Sequence, residues 1–192
     1  MWSTCGGGLD CSPSQLEGAL SGDKESICYL YGVGQALPFQ DTCFEAVLFF
    51  NSLHHIPEEE MNCALAEASR VVESGGLVYV AEPLSQGACF KLDALVDDET
   101  EVRAKAFEVL QNAHAKIPDL MFAGEGYYEV QFCYQDFQEY KDDMLRFDGS
   151  RLELFEKMEP EMRKRFYELG ITDVKGTNFT QTMRAHRFIA RS

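Results

Sequence analysis

A chain of 192 residues is long enough to bury a real core and defaults to one domain, residues 1–192. Its 45% hydrophobic and 26% charged residues are ordinary for a soluble globular protein. A formal charge of −15 and a pI near 4.6 argue against DNA, RNA and anionic membrane surfaces as partners.

In chain order, Ser12-Pro13-Ser14 ahead of Gln15 to Leu20 predicts a helix start, with Ser12 as N-cap and Pro13 in the first turn. Ile27 to Tyr31 and Phe44 to Phe50 predict strands. The second is apolar apart from Glu45, which suits a strand covered on both faces of a parallel sheet. Pro57 opens a helix with Glu58, Glu59 and Glu60 in its first turn, where the helix dipole favours acids. Met61, Ala64, Leu65, Ala68, Val71 and Val72 recur at helical spacing as its core face, Gly75-Gly76 ends it, and Leu77 to Ala81 is the next strand. Strand, helix and strand joined by short turns make a βαβ unit.

Beyond Glu82-Pro83 the pattern changes. Gly87 to Leu95 is ambiguous between helix and loop, and Asp97-Asp98 caps a helix from Glu99 to about His114. Tyr127 to Tyr134 alternates as a strand, Phe137 to Phe147 and Pro160 to Leu169 read as helices, and Phe179 to Ile189 as a final strand. The two late strands are expected to form an antiparallel edge pair. The fold class is therefore α/β, Rossmann-like: a doubly wound, mostly parallel sheet with an antiparallel edge. The basic run Arg163-Lys164-Arg165 follows Glu159 and Glu161 in a helical pattern and reads as a solvated helix face.

Seven cysteines, at 5, 11, 28, 43, 63, 89 and 133, are scattered singly, with no Cys-x-x-Cys pair. They read as mostly small buried hydrophobes in a reducing, cytoplasmic compartment. No signal peptide opens the chain, and no apolar run has the length of a membrane span. No metal is expected at His54-His55, because adjacent histidines on a regular element point apart and no third ligand is near in sequence.

Three stretches carry chemistry: Gly8-Leu9-Asp10-Cys11-Ser12-Pro13, then Gln35-Ala36-Leu37-Pro38-Phe39, then Asn51-Ser52-Leu53-His54-His55-Ile56-Pro57. Their order and spacing, with Asp10 standing 26 residues before Ala36, resemble the class I S-adenosylmethionine-dependent methyltransferases of small molecules over residues 8 to 83. That resemblance implies S-adenosylmethionine as cofactor and a small-molecule methyl acceptor. It implies that Asp10, with Cys11 beside it, holds the ribose hydroxyls, and that Gln35, Ala36 and Leu37 meet the adenine. Val33 stands where the family places an acidic partner for the exocyclic amine, so Gln35 or backbone has to supply that bond. Asn51 would face the methionine part or the acceptor. His55, which titrates near neutral pH, is the candidate general base, while at least one histidine of the pair keeps a structural role. Glu82 would line the acceptor pocket or cap the next segment. Tyr127, Tyr128 and Tyr134 read as an edge strand packed on helices, or as an aromatic wall for the acceptor.

The family's glycine-rich loop follows a first strand for which the nine residues before Asp10 leave no room, although Cys5-Gly6-Gly7-Gly8 is glycine-rich. The first strand is therefore expected to be missing or replaced, with a neighbouring copy in a homo-oligomer or the N-terminal tail over the gap. Two functions from different classes follow. One is methyl transfer. The other is a catalytically impaired methyltransferase-like interaction or regulatory module, or fragment, without cofactor binding. A nicotinamide-dependent oxidoreductase would need Gly-x-Gly-x-x-Gly between a strand and a helix, which this chain lacks.

Overall fold

Seven strands and six helices follow one another in the computed structural model, which describes residues 6–21, 27–147 and 149–191. Cys5 lies outside the described residues. The first half runs β1 (Gly6–Asp10), α1 (Pro13–Leu20), β2 (Ile27–Tyr31), β3 (Phe44–Phe50), α2 (Glu58–Val71) and β4 (Val72–Pro83). The second half runs α3 (Gly87–Asp93), α4 (Thr100–Lys116), β5 (Leu120–Tyr134), α5 (Phe137–Phe147), α6 (Leu152–Leu169), β6 (Ile171–Asp173) and β7 (Gly176–Ala190). The described strands form two sheets: the parallel pair β1-β2, and a five-stranded sheet of order β3-β4-β7-β5 with β6 antiparallel on β7. No strand among the described residues joins β1 to β3.

The chain divides into two compact units. The first comprises Met1–Val80, Lys105–Glu125 and His186–Ser192. Its core is built on the apolar stripe that runs along α2 into the first residue of β4: Met61, Ala64, Leu65, Ala68, Val71 and Val72 are all buried. All of these but Val71 pack in a cluster with Val78 and Val80 of β4, Leu110 and Ala113 of α4 and Phe188 of β7. Helix α2 stops at Val71, four residues before Gly75-Gly76, because the β-branched Val71-Val72 pair passes directly into strand geometry. Gly76 is needed inside β4, since a Cβ there would stand 2.6 Å from the carbonyl oxygen of Glu45.

Helix α1 starts where expected: Ser12 is its N-cap and accepts the Gln15 N–H at 3.4 Å, with Pro13 in the first turn. Replacing Ser12 by Ala is expected to cost about 0.5–1 kcal/mol locally. Hydrogen exchange of the α1 amides should then quicken up to about fivefold while the α2 amides stay unchanged.

Two expectations are corrected in this unit. Strand β3 is not covered on both faces: Leu48 is 55% and Phe50 56% exposed. The reason is position, because β3 ends its sheet and β1-β2 pairs only within itself among the described residues. Nor is any of the six cysteines among the described residues fully buried. Cys11, Cys28, Cys63 and Cys133 are exposed and Cys43 and Cys89 half-buried, all as free thiols. Cys28 alternates outward on a two-stranded sheet, and Cys63 lies off the apolar stripe of α2.

The second unit comprises Ala81–Ala104 and Gly126–Ala185. Its core gathers Leu92 of α3, Phe137 and Tyr140 of α5, Phe155, Met162 and Phe166 of α6 and Phe179 of β7. Phe166 anchors it, edge-on to Phe137 at 5.8 Å and tilted on Phe179 at 5.1 Å between ring centres. The ambiguous stretch after Pro83 is helix α3. Helix α6 begins eight residues before Pro160, which lies on its exposed side, where water can take the carbonyl that proline leaves without a donor. The basic run on α6 is answered by acids of the same helix: Arg163 meets Glu159 and Arg165 meets Glu161, both at 2.9 Å. Strands β5 and β7 are neighbours as expected, but β7 lies inside the sheet between β4 and β5. No helix among the described residues is long and apolar enough to cross a membrane.

Candidate functional site

Strands β1 and β2 run parallel with Asp10 opposite Tyr31, so both deliver their carboxyl ends to one edge, the edge where open α/β sheets bind ligands. Asp10 turns the chain there. Its Oδ1 accepts the Ser12 N–H at 2.7 Å, its carbonyl accepts the Gly32 N–H at 3.1 Å, and Oδ2 has no partner among the described residues. Cys11 follows it, exposed.

The segment after β2 folds back on itself. Val33 and Ala36 form an isolated bridge, with the Ala36 N–H on the Val33 carbonyl at 3.2 Å. Gln35 donates from Nε2 to Glu60 at 2.5 Å, which leaves its amide oxygen without a partner among the described residues. Gly34 lies close to the segment after β3: a Cβ there would stand 3.3 Å from Ile56 Cδ1, which would have to give by a few tenths of an ångström, with Phe49 and Ala64 at ordinary contact distance. That packing ties the loop to the segment after β3.

Leu37 is fixed most firmly. Its N–H donates to Glu67 Oε2 at 2.8 Å, and its carbonyl accepts from Arg70 Nη2 at 3.1 Å. Arg70 holds the Glu67 carboxyl below the usual range for a glutamate, and Glu67 in turn raises the arginine.

Asn51 stands at the carboxyl end of β3 with φ +48°, a left-handed conformation that asparagine tolerates better than most residues. It is followed by a 3-10 turn over Leu53–His55, in which the His55 N–H bonds the Ser52 carbonyl at 3.3 Å. His54 is buried at 4% exposure, His55 is exposed, and their rings lie 4.1 Å apart. Asp10, Cys11, Gln35, Ala36 and Leu37 thus leave from the carboxyl edge of β1-β2, and the Gly34–Ile56 contact links them to the segment that carries Asn51 and His55. Sequence reading passed over Glu60, Glu67 and Arg70. The signal for two of them was present as an acid–base pair three residues apart, off the apolar stripe of α2.

A mixed-charge groove of about 320 Å³ lies on α2 and α4, lined among others by Glu58, Asn62, Lys105 and Glu108, and none of the residues chosen from the sequence lines it.

In the second unit Glu82 is buried at the end of β4, and Tyr127 and Tyr128 are exposed on β5. Tyr134 is packed on Tyr140, Phe166 and Phe179. The same unit holds a carboxyl that the sequence did not flag. Asp93 accepts from the Tyr140 hydroxyl at 2.9 Å and from the Cys89 thiol at 3.4 Å. Burial pushes Asp93 up to about 6, and burial next to Asp93 pushes the Cys89 thiol and the Tyr140 phenol upward as well.

Residues 7–80 match the methyltransferase domain family. Among solved structures, a candidate methyltransferase of Bacillus halodurans is 16% identical, over 97% of this chain and 83% of that one, with a TM-score of 0.57. The YcgJ protein of Bacillus subtilis is 15% identical over 98% and 83% of the two chains, with a TM-score of 0.56. An arsenic(III) S-adenosylmethionine methyltransferase of Chlamydomonas reinhardtii is 15% identical over 96% of this chain and 55% of that one, at 0.50. At these identities the likeness shows the fold, which is Rossmann-like and that of the class I methyltransferases.

Proposed function

We propose, from a class I methyltransferase fold that carries the methyltransferase domain over residues 7–80, that this chain is a single methyltransferase-like domain moving a methyl group from S-adenosylmethionine to a small-molecule acceptor. The observation that carries the reading is Asp10. It sits at the carboxyl end of β1 with one carboxylate oxygen locked by the turn and the other without a partner among the described residues.

The residues present fit the cofactor's chemistry. An open carboxylate oxygen suits ribose hydroxyls. The amide oxygen of Gln35 is an acceptor, which is what an exocyclic amine requires and what Val33 cannot offer. Ala36 and Leu37 give the adenine ring small apolar surface, Cys11 flanks the ribose, and Asn51 faces the methionine part. S-adenosylmethionine, when bound, supplies an already activated sulfonium methyl. The chain therefore has mainly to align acceptor and donor, and His55 takes a proton only where the acceptor must lose one. The free thiols agree with a reducing, cytoplasmic setting.

One observation favours a second reading, an interaction or regulatory module that binds no cofactor. Among the described residues no strand joins β1 to β3, and β3 shows Leu48 and Phe50 to solvent. In either reading a homo-oligomer covering the open side of β3 is an arrangement the fold admits.

Calorimetric titration of the folded chain with S-adenosylhomocysteine decides between the two. Micromolar affinity, with none for NAD, is the expected result. A folded chain that takes up no S-adenosylhomocysteine would leave only the module.

A further inference from the structure

The residues from Leu37 to Cys43 are pinned along their length to the last turn of α2, and one side chain does most of the pinning. Arg70 has five N–H donors, and all five are engaged. Nε bonds Glu67 Oε1 at 2.7 Å and Nη2 bonds Glu67 Oε2 at 2.7 Å, a bidentate pair. The second Nη2 hydrogen goes to the Leu37 carbonyl at 3.1 Å. Nη1 reaches the Phe39 carbonyl at 2.9 Å and Asp41 Oδ1 at 2.7 Å. Glu67 closes the circuit by accepting the Leu37 N–H at 2.8 Å.

Backbone bonds continue the attachment. The Thr42 N–H meets the Arg70 carbonyl at 3.0 Å and the Cys43 N–H meets the Val71 carbonyl at 2.8 Å, so the end of α2 is closed by the loop it holds. Thr42 takes φ +52°, an unusual conformation for a β-branched residue, which persists because its neighbours are fixed. Three of these acceptors or donors are main-chain groups of Leu37 and Phe39, so the network sets backbone position and not only side-chain contact. A lysine could keep the charge but could not make a planar, bidentate, five-donor junction.

Resting on the methyltransferase reading above, we infer that Arg70, braced by Glu67, is a positioning residue for cofactor binding: it fixes the Gln35–Phe39 segment so that Ala36 and Leu37 present a preformed adenine surface. It touches no ligand itself. Because the Leu37 N–H is consumed by Glu67 and its carbonyl already accepts from Arg70, that residue has no main-chain donor left for the ligand, and Gln35 supplies the side-chain acceptor for the adenine edge. Without the clamp the segment would have to be ordered by the ligand, and affinity would fall by that ordering cost.

The test uses the full chain with Arg70→Lys beside Arg70→Ala, because the alanine variant can fail to fold whereas the lysine variant keeps the charge. Three readouts are needed: thermal unfolding, hydrogen exchange at the Leu37 amide, and titration with S-adenosylhomocysteine. The expected result for Arg70→Lys is an unfolding midpoint within a few degrees of the parent. Its Leu37 amide should exchange at least about tenfold faster, and its affinity for S-adenosylhomocysteine should fall about tenfold. A merely structural arginine would move the midpoint and leave affinity well below that midpoint untouched. Parent-like affinity, or a Leu37 amide as protected as in the parent, overturns the positioning role alone. A parent chain that itself takes up no S-adenosylhomocysteine overturns the methyltransferase reading and the positioning role with it, and that outcome is read without any variant.

Discussion

Asp10→Ala is expected to weaken S-adenosylhomocysteine binding about 100-fold or more. A carboxylate that accepts two ribose hydroxyls makes two charge-assisted hydrogen bonds, each contributing about 1.5–3 kcal/mol. Losing about 3 kcal/mol corresponds to roughly two orders of magnitude in affinity. The variant also loses the Oδ1 bond to the Ser12 N–H, so part of the effect could come through the turn that begins α1. Asp10→Asn separates the two contributions, because an amide oxygen can still accept from Ser12 while the charge and one acceptor are gone. Titration of the parent and both variants should order the affinities parent, then Asn, then Ala. Equal affinities in the parent and Asp10→Ala would remove Asp10 from the site.

Asp93→Asn is expected to stabilise the protein above pH 6 and to leave it nearly unchanged near pH 4. Burial between Cys89 and Tyr140 raises the Asp93 carboxyl from 3.8 to about 6 in the folded chain. A folded state that holds a proton more tightly than the unfolded state is favoured where that proton is bound. The contribution is fully present below the unfolded pKa near 3.8 and is lost as pH rises through about 6. A shift of this size corresponds to on the order of 2–3 kcal/mol at most, with relaxation of the site reducing it. An asparagine can accept from the Tyr140 hydroxyl without carrying charge at any pH. Urea unfolding of parent and variant at pH 4, 5, 6 and 7.5 should give a difference that opens between pH 4 and 6 and is level beyond about 7. Parallel curves would show that Asp93 titrates normally.

These predictions draw on unequal parts of the sequence. The apolar stripe of α2 could be read directly, because helical spacing and burial answer to the same periodicity, and each of its six residues is buried. Local punctuation was also legible: Ser12-Pro13 starts α1, and Asp98 caps α4 with its carboxylate on the Thr100 N–H. Pro160 misled, because a proline on a wet helix face need not begin a helix. Strand β5 starts seven residues earlier than the alternation suggested, through Gly124 and Gly126, since pairing with a neighbouring strand outweighs the weak strand preference of glycine.

What the sequence determined by itself was the identity and order of the elements from α1 to β4, and with them the resemblance carried by Asp10, Ala36 and Asn51. Those features are local, written in residue types at fixed separations. Only the tertiary structure decided that β3 ends its sheet among the described residues, that Arg70 spends three donors on one loop and two on Glu67, and that Cys89, Asp93 and Tyr140 share one hydrogen-bonded cluster. Each joins residues that other elements separate, the cluster spanning 47 residues between Asp93 and Tyr140. Such contacts follow from packing, where an apolar run reads the same on a covered strand and an open one, and an arginine the same in a clamp and in solvent.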